Sequence, residues 1–311
     1  MGRGVRALAA GAVLLVVAAG CGGSSGEKVT VDATPAALRH AAQATLDKKT
    51  SKIEFTMTMT IQGHEVKMPG SGQLDNEARK ASMTFEVKDL FAQLASDAPP
   101  EAAALFDQPL EMVLDGTVMY MHFPALTAVA GQGKEWLKID LAANKDVGAL
   151  LGAGGGGFGS DPSSFLQFLE GAGKITEVGK EDVRDVPTTH FSGSYTMKDA
   201  LSALPSDQRD KAEQAVNRLG LPSDFESTDI PFDAWVDADG LIRKVQMSFD
   251  YSSLVSSASS SGVAGMSMTM EYFDFGVPVD IQVPSDDEVQ DASNLFSSTG
   301  SKFSAVASSI N

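Results

Sequence analysis

Few side chains in this sequence are spaced for bond-making chemistry. Its four histidines, His40, His64, His122 and His190, stand singly, and no two have the spacing of a zinc pair. Asp224, Asp229, Asp233, Asp237 and Asp239 form an acidic run that invites comparison with a calcium loop. Such a loop needs alternating oxygen ligands, a glycine and a later glutamate. Here Trp235 takes the first ligand place and only Asp237, Asp239 and Gly240 remain, which reads as a hairpin turn. The glycines of 152–159 lack the Lys-Ser/Thr ending of a phosphate loop, and Lys134 is followed by Glu135, which fails the same test. No Gly-x-Ser-x-Gly elbow is present. Beyond Met1 there are twelve methionines, several two residues apart: Met57/Met59, Met119/Met121 and Met266/Met268/Met270. Thioethers can hold copper(I), but no cysteine or clustered histidine assists them. Flexible, polarisable side chains of this kind serve as core filler or as an adaptable apolar lining. No catalytic set, metal site or cofactor is expected, and the chain reads as a non-enzyme.

The one thiol belongs to Cys21. Arg3 and Arg6 precede an apolar run over 7–19 that ends in small residues, the pattern of a secretory signal peptide. The run covers 13 residues, well short of the ~20 a membrane-spanning helix needs. Cysteine directly after Ala19-Gly20 resembles the bacterial lipobox, with Ala18 where Leu or Val is usual. The resemblance implies cleavage after residue 20 and a diacylglyceryl group on Cys21, with palmitate-like chains as the membrane anchor. Two chains, at ~0.8 kcal/mol per buried methylene, hold durably where one would not. Residues 21–33, rich in Gly and Ser, form a flexible tether. The expected location is the extracytoplasmic face of the cell membrane. A lone, acylated cysteine leaves no disulfide.

Charge narrows the partners further. The net charge is −17, and loss of Arg3 and Arg6 takes it to −19. Without a basic cluster the protein is unsuited to nucleic acid and to electrostatic adhesion on anionic lipid.

The remaining signal is strand periodicity. Ile53, Phe55, Met57, Met59 and Ile61 alternate with Glu54, Thr56, Thr58, Thr60 and Gln62, the pattern of a half-buried strand. The same alternation recurs in Ala81/Met83/Phe85/Val87, Phe191/Tyr195/Met197, Val245/Met247/Phe249/Tyr251, Met266/Met268/Met270/Tyr272 and Val277/Val279/Ile281/Val283. Asp115-Gly116 and Asp239-Gly240 are hairpin turns. These runs predict an antiparallel meander of about eight to ten strands with one apolar side. Thr34 and Pro35 start a helix running to about residue 48. Asp161-Pro162 and Ser206 start two more, and Ser285 to Glu288 is a capping box for a short amphipathic helix. Thin, Ala-rich helices cover a broad apolar sheet incompletely, and an uncovered face of several hundred Å², at ~25 cal/mol per Å², is costly unless a ligand fills it.

In their order and spacing these elements resemble actinobacterial lipoproteins of the LolA/LolB-like superfamily, of the mycobacterial LppX/LprG type. The matching stretches are the lipobox at Cys21, the strand over 51–62, and Gly133-Lys134-Glu135-Trp136-Leu137-Lys138-Ile139-Asp140. Further stretches are 178–183, 188–195, 234–243 and 274–284. The resemblance spans about residues 35–290 and implies an α+β fold: a strongly curved antiparallel half-barrel, LolA-like, with helices over its concave face. It also implies a cavity for an acylated lipid or glycolipid, and an envelope transporter as a candidate partner. Extra length around 90–108, 147–159 and 200–227 departs from that pattern. One domain over 34–296 is expected, with a disordered tail over 297–311. The residues expected to line the cavity are Ile53, Phe55, Met57, Met59, Met83, Phe85, Val245, Met247, Phe249, Met268 and Met270. The competing reading is a structural or partner-binding envelope lipoprotein whose hollow is filled and which takes no lipid.

Overall fold

A computed structural model describes residues 34–94, 104–142, 174–203, 209, 213, 227–250 and 263–293. Cys21, the tether, the helices expected at Asp161 and Ser206, and the tail over 297–311 lie outside the described residues.

The described chain builds a single sheet of twelve strands from two meanders. The first comprises β1 (Thr50–Ile61), β2 (His64–Asp75), β3 (Lys80–Phe85), β4 (Leu110–Asp115), β5 (Val118–His122) and β6 (Trp136–Asp140). The second comprises β7 (Lys174–Val183), β8 (Val186–Thr196), β9 (Asp229–Asp237), β10 (Ile242–Asp250) and β11 (Val263–Phe273). Their first and last members, β1 and β11, pair antiparallel at the centre. A short β12 (Val289–Asp291) runs parallel along β6, so β7 and β12 are the two edges of an unclosed, curved sheet. Asp115-Gly116 turns β4 into β5 with Gly116 at φ +62, a left-handed conformation that glycine adopts without steric cost.

Strand β2 shows how the sheet tolerates poor strand formers. Pro69 O accepts from Glu86 N–H at 2.9 Å, just past the end of β3, so its missing donor faces a place where the ladder has already stopped. Gly70, between Phe55 and Phe85 in the register, has no room for a side chain: a Cβ there would lie 2.6 Å from Thr84 O. The two phenyl rings meet across it, 4.8 Å apart and tilted by 58°.

Helix α1 (Pro35–Leu46) starts as expected, with Thr34 Oγ1 accepting from Ala37 N–H at 3.1 Å and Pro35 in the first turn. It buries Leu38, Ala41, Ala42 and Thr45. Three further described helices are α2 (Lys88–Leu94), α3 (Pro124–Ala130) and α4 (Met197–Ala203). The first two had no sequence expectation behind them. Helix α4 starts at Met197, which the alternation placed in a strand, because Thr196 Oγ1 accepts from Asp199 N–H and starts a helix there. All four described helices contribute to the core that packs on one face of the sheet, through Leu38, Leu90, Phe91, Ala125 and Leu201. The fold is α+β, an open half-barrel with helices on its apolar side.

Two expectations fail at the C-terminal end. Residues 277–283 form no ladder, because Pro278 and Pro284 cannot donate and Asp280 N–H instead bonds Gln73 Oε1 at 3.1 Å. They run as an extended strap, pinned by Gly276 N–H to Thr50 O and by Thr50 Oγ1 to Val277 O. The capping-box contact forms, Ser285 N–H to Glu288 Oε2 at 2.9 Å, yet the chain beyond it enters β12 and not a helix. There the edge of β6 offers Ala292 N–H and Glu288 O their partners, Lys138 O and Trp136 N–H, which outweighs the local helix signal.

Candidate functional site

Cross-strand pairing places the eleven expected lining residues on one face of β1, β3, β10 and β11. The rows across this inner face are set by the register. One runs Met112–Met83–Gly72–Ile53–Tyr272, the next Phe85–Gly70–Phe55–Met270–Val245–Ala234. The third is Met68–Met57–Met268–Met247–Phe232, and the last Val66–Met59–Met266–Phe249. Four methionines on four adjacent strands thus make a soft thioether band across the middle of the sheet. Tyr195 adds a buried hydroxyl that donates to Met247 Sδ at 3.3 Å.

Burial is graded from row to row on β1, β10 and β11, while Met68 and Val66 of β2 stay sealed in the last two rows. Ile53, Phe55, Met83, Phe85, Val245, Met247, Met268 and Met270 are sealed, none more than 8% exposed. Met57, Met59, Met266 and Phe249, at the opposite end of β1, β10 and β11 from α1, are only half-buried. The sealed end is where α1 lies: Thr45 Oγ1 donates to Ala41 O at 2.7 Å and accepts from Ile242 N–H at 2.9 Å, tying helix to strand. Sequence reasoning missed Met68, Met112, Met121 and Phe232 as members of this face, and placed Tyr272 in its alternation without counting it in the lining. The alternation in β4 and β5 would have supplied Met112 and Met121, whereas Met68 sits beside Pro69 and two glycines that hide the strand.

The opposite face is polar. A row runs His122–Glu111–Thr84–Ser71–Glu54–Glu271–Lys244–Trp235–His190 across nearly the whole sheet. Arg184 bridges Glu54 and Glu271, the latter at 2.8 Å, and lies 3.9 Å over the Phe273 ring. An open cleft of about 400 Å³ lies there between Glu54, Glu86, Glu271, Thr56 and Ser71. Its carboxylates and hydroxyls suit water and polar solutes, and it has the wrong chemistry for an acyl chain. Asp237, from the acidic run, is buried as a turn-former: its Oδ1 accepts from Asp239 N–H and Leu241 N–H, both at 2.9 Å, and its Oδ2 pairs with Arg243. Those bonds consume the carboxylate, as a hairpin reading requires. Among the described residues no group of three or more His, Cys, Asp or Glu side chains could hold a metal ion. None of the described helices is long and apolar enough to cross a membrane.

No family model matches the chain. Over 277 residues it is 25% identical to an uncharacterized 31.2 kDa protein in the rplA-rplJ intergenic region of Streptomyces griseus, a match covering 85% of this chain and 81% of the relative. The structure is similar to that of the lipoprotein LppX of Mycobacterium tuberculosis, with a TM-score of 0.43 and 11% identity, covering 80% of this chain and 97% of LppX. It is also similar to LprF of Mycobacterium bovis, with a TM-score of 0.41 and 10% identity, covering 81% and 96%. The likeness is one of fold. LppX is among the lipoproteins whose type the sequence motifs resemble.

Proposed function

We propose that this chain is a lipoprotein anchored through Cys21 at the extracytoplasmic face of the cell membrane, and that it carries an acylated lipid or glycolipid against its inner face without breaking any bond. The observation that supports this reading is the graded burial of that face. From row to row this face of Met, Phe and Val passes from side chains sealed near α1 to rows in which Met57, Met59, Met266 and Phe249 are half-buried beside the sealed Met68 and Val66 of β2. Each methylene that moves from water onto such a surface contributes ~0.8 kcal/mol, so about ten of them offer on the order of 8 kcal/mol before the cost of immobilising the ligand. Methionine suits the task because its side chain can re-pack around chains of different shape.

Binding of a fluorescent fatty-acyl probe to the delipidated, soluble domain tests the reading. Met59→Glu and Met266→Glu should each weaken binding at least about tenfold, since a charge must be desolvated or the chain displaced, while Met59→Leu keeps it. A folded domain that takes up no probe, or that binds equally well with both glutamates in place, refutes it.

A second reading draws on a specific observation. Eight of the eleven expected lining residues are already sealed by the protein itself. A filled inner face and an acidic exterior would suit an envelope lipoprotein that docks a protein partner and takes no lipid. Probe binding that is absent, alongside reproducible crosslinking in cells to one identified envelope protein, would favour it.

A further inference from the structure

On the outer face, one strand in from the free edge, His190 is held on three sides. Its Nδ1 lies 3.0 Å from Glu181 Oε1 on β7, and its Nε2 lies 2.8 Å from Asp233 Oδ1 on β9. The ring stacks on Trp235 at 4.3 Å and 12°. The indole N–H donates to Glu181 Oε2 at 3.0 Å, and Lys244 Nζ sits 4.5 Å from the indole centroid. The charged groups around His190 are therefore Glu181 from β7, Asp233 from β9 and, beyond Trp235, Lys244 from β10. Only 13% of the imidazole side chain is exposed.

A neutral imidazole carries one N–H, and an imidazolium carries two. Both carboxylates can accept hydrogen bonds together only from the imidazolium; a neutral ring turns a lone pair toward one of them. The location makes this matter. Among the described residues strand β7 has a neighbour on one side only, and its register with β8 shifts between Glu177 and Gly179, with Gly179 directly opposite His190. The side-chain bridge thus lies directly beside the place where the backbone ladder of this strand is interrupted, on the in-register side.

We propose that His190 is a pH-operated latch for the free edge of the sheet. Protonated, it clasps β7 to β9 across β8 through Glu181 and Asp233; deprotonated, it releases one carboxylate, so the Trp235 N–H to Glu181 bond and at most one bond from the ring remain, and β7 is held less firmly. The latch is fastened while the ring carries both protons and lost when it gives one up. Its acceptor survives well into the acid range, because the Trp235 indole N–H, and next the His190 ring, hold the Glu181 carboxyl below its usual titration range. Behind the latch lie Phe191 and Ile175, which β8 and β7 contribute to the apolar core. Release therefore loosens one rim of that face. The latch needs only this outer-face geometry and operates whether or not the inner face takes a lipid.

The test is amide hydrogen exchange on the purified full-length protein from about pH 5 to about pH 8. After correction for intrinsic exchange, amides of 174–183 should lose at least about tenfold in protection as pH rises, the loss of a charge-assisted hydrogen bond, while those of β9 and β1 do not change. In His190→Gln the β7 profile should be flat. Should that variant fail to fold, Glu181→Gln, at a half-exposed position, should flatten it equally. A wild-type β7 whose protection does not vary with pH, or variants that keep the wild-type pH profile, would overturn the proposal.

Discussion

Replacing Thr45 by valine should cost more than its near-identical shape suggests. The Thr45 hydroxyl is the acceptor for Ile242 N–H at 2.9 Å, and Ile242 is fully buried, so no water can substitute. Valine keeps the volume and the β-branch, so helix propensity barely changes. The change removes the partner of a buried backbone donor, which costs about 1–3 kcal/mol. Ala41 O, which also accepts from the hydroxyl at 2.7 Å, retains its helical bond and adds little. Thr45→Ser provides the control: it keeps the hydroxyl and loses one methyl, about 0.8 kcal/mol. Urea unfolding monitored by far-ultraviolet circular dichroism should rank wild type above Thr45→Ser above Thr45→Val. With a slope of about 2 kcal/mol/M, the midpoint for valine should fall by roughly 0.5–1.5 M. A valine variant as stable as the serine one would show that the α1–β10 tie does not depend on this hydroxyl.

The same structure predicts other outcomes. Gly70→Ala should destabilise by about 1–3 kcal/mol, because the new methyl meets the backbone carbonyl of Thr84, which has no rotamer to yield; thermal unfolding would report it. The Glu288 carboxyl is held below its ordinary range by hydrogen bonds from Ser285, and that of Asp291 by the Ser293 N–H and hydroxyl. Their contribution is therefore complete above the unfolded-state values and lost as pH falls through the lowered ones. Hydrogen exchange in β12 should rise in acid, earlier in Ser285→Ala than in the wild type. Lys49→Ala should shift stability by less than about 0.5 kcal/mol, since its bridge to Glu77 joins side chains that are 73% and 66% exposed.

The features legible in the sequence were local ones. The Thr34 cap, the Asp115-Gly116 and Asp239-Gly240 turns, and the alternation in β1, β3, β10 and β11 are each set within a dozen residues, and the structure has them all. The apolar face was legible for the same reason, because period two fixes which side chains share a side. Strand β2 was not, because Pro69, Gly70 and Gly72 are poor strand formers whose acceptability depends on Phe55, Phe85 and the end of β3. Nor was the central pairing of β1 with β11, which joins residues at opposite ends of the chain. The strap over 277–283 imitates a strand in its alternation, but its partners are the Thr50 and Gln73 side chains, which no local pattern announces. Within the inner face, Met57 and Met268 share the same alternation, yet one is half-buried and the other sealed. The clasp around His190 draws on Glu181, Asp233 and Trp235 from two other strands, so each residue looks ordinary until register brings them together.

Native mass spectrometry of the full-length protein, extracted gently from its own membrane, bears most directly on whether the half-roofed end of the inner face holds a ligand. A population heavier by the mass of a lipid than the polypeptide with its proposed Cys21 acylation, and absent from a folded Met59→Glu/Met266→Glu variant, is the predicted result. A single species at the mass of the acylated chain alone, in wild type and variant alike, would contradict it.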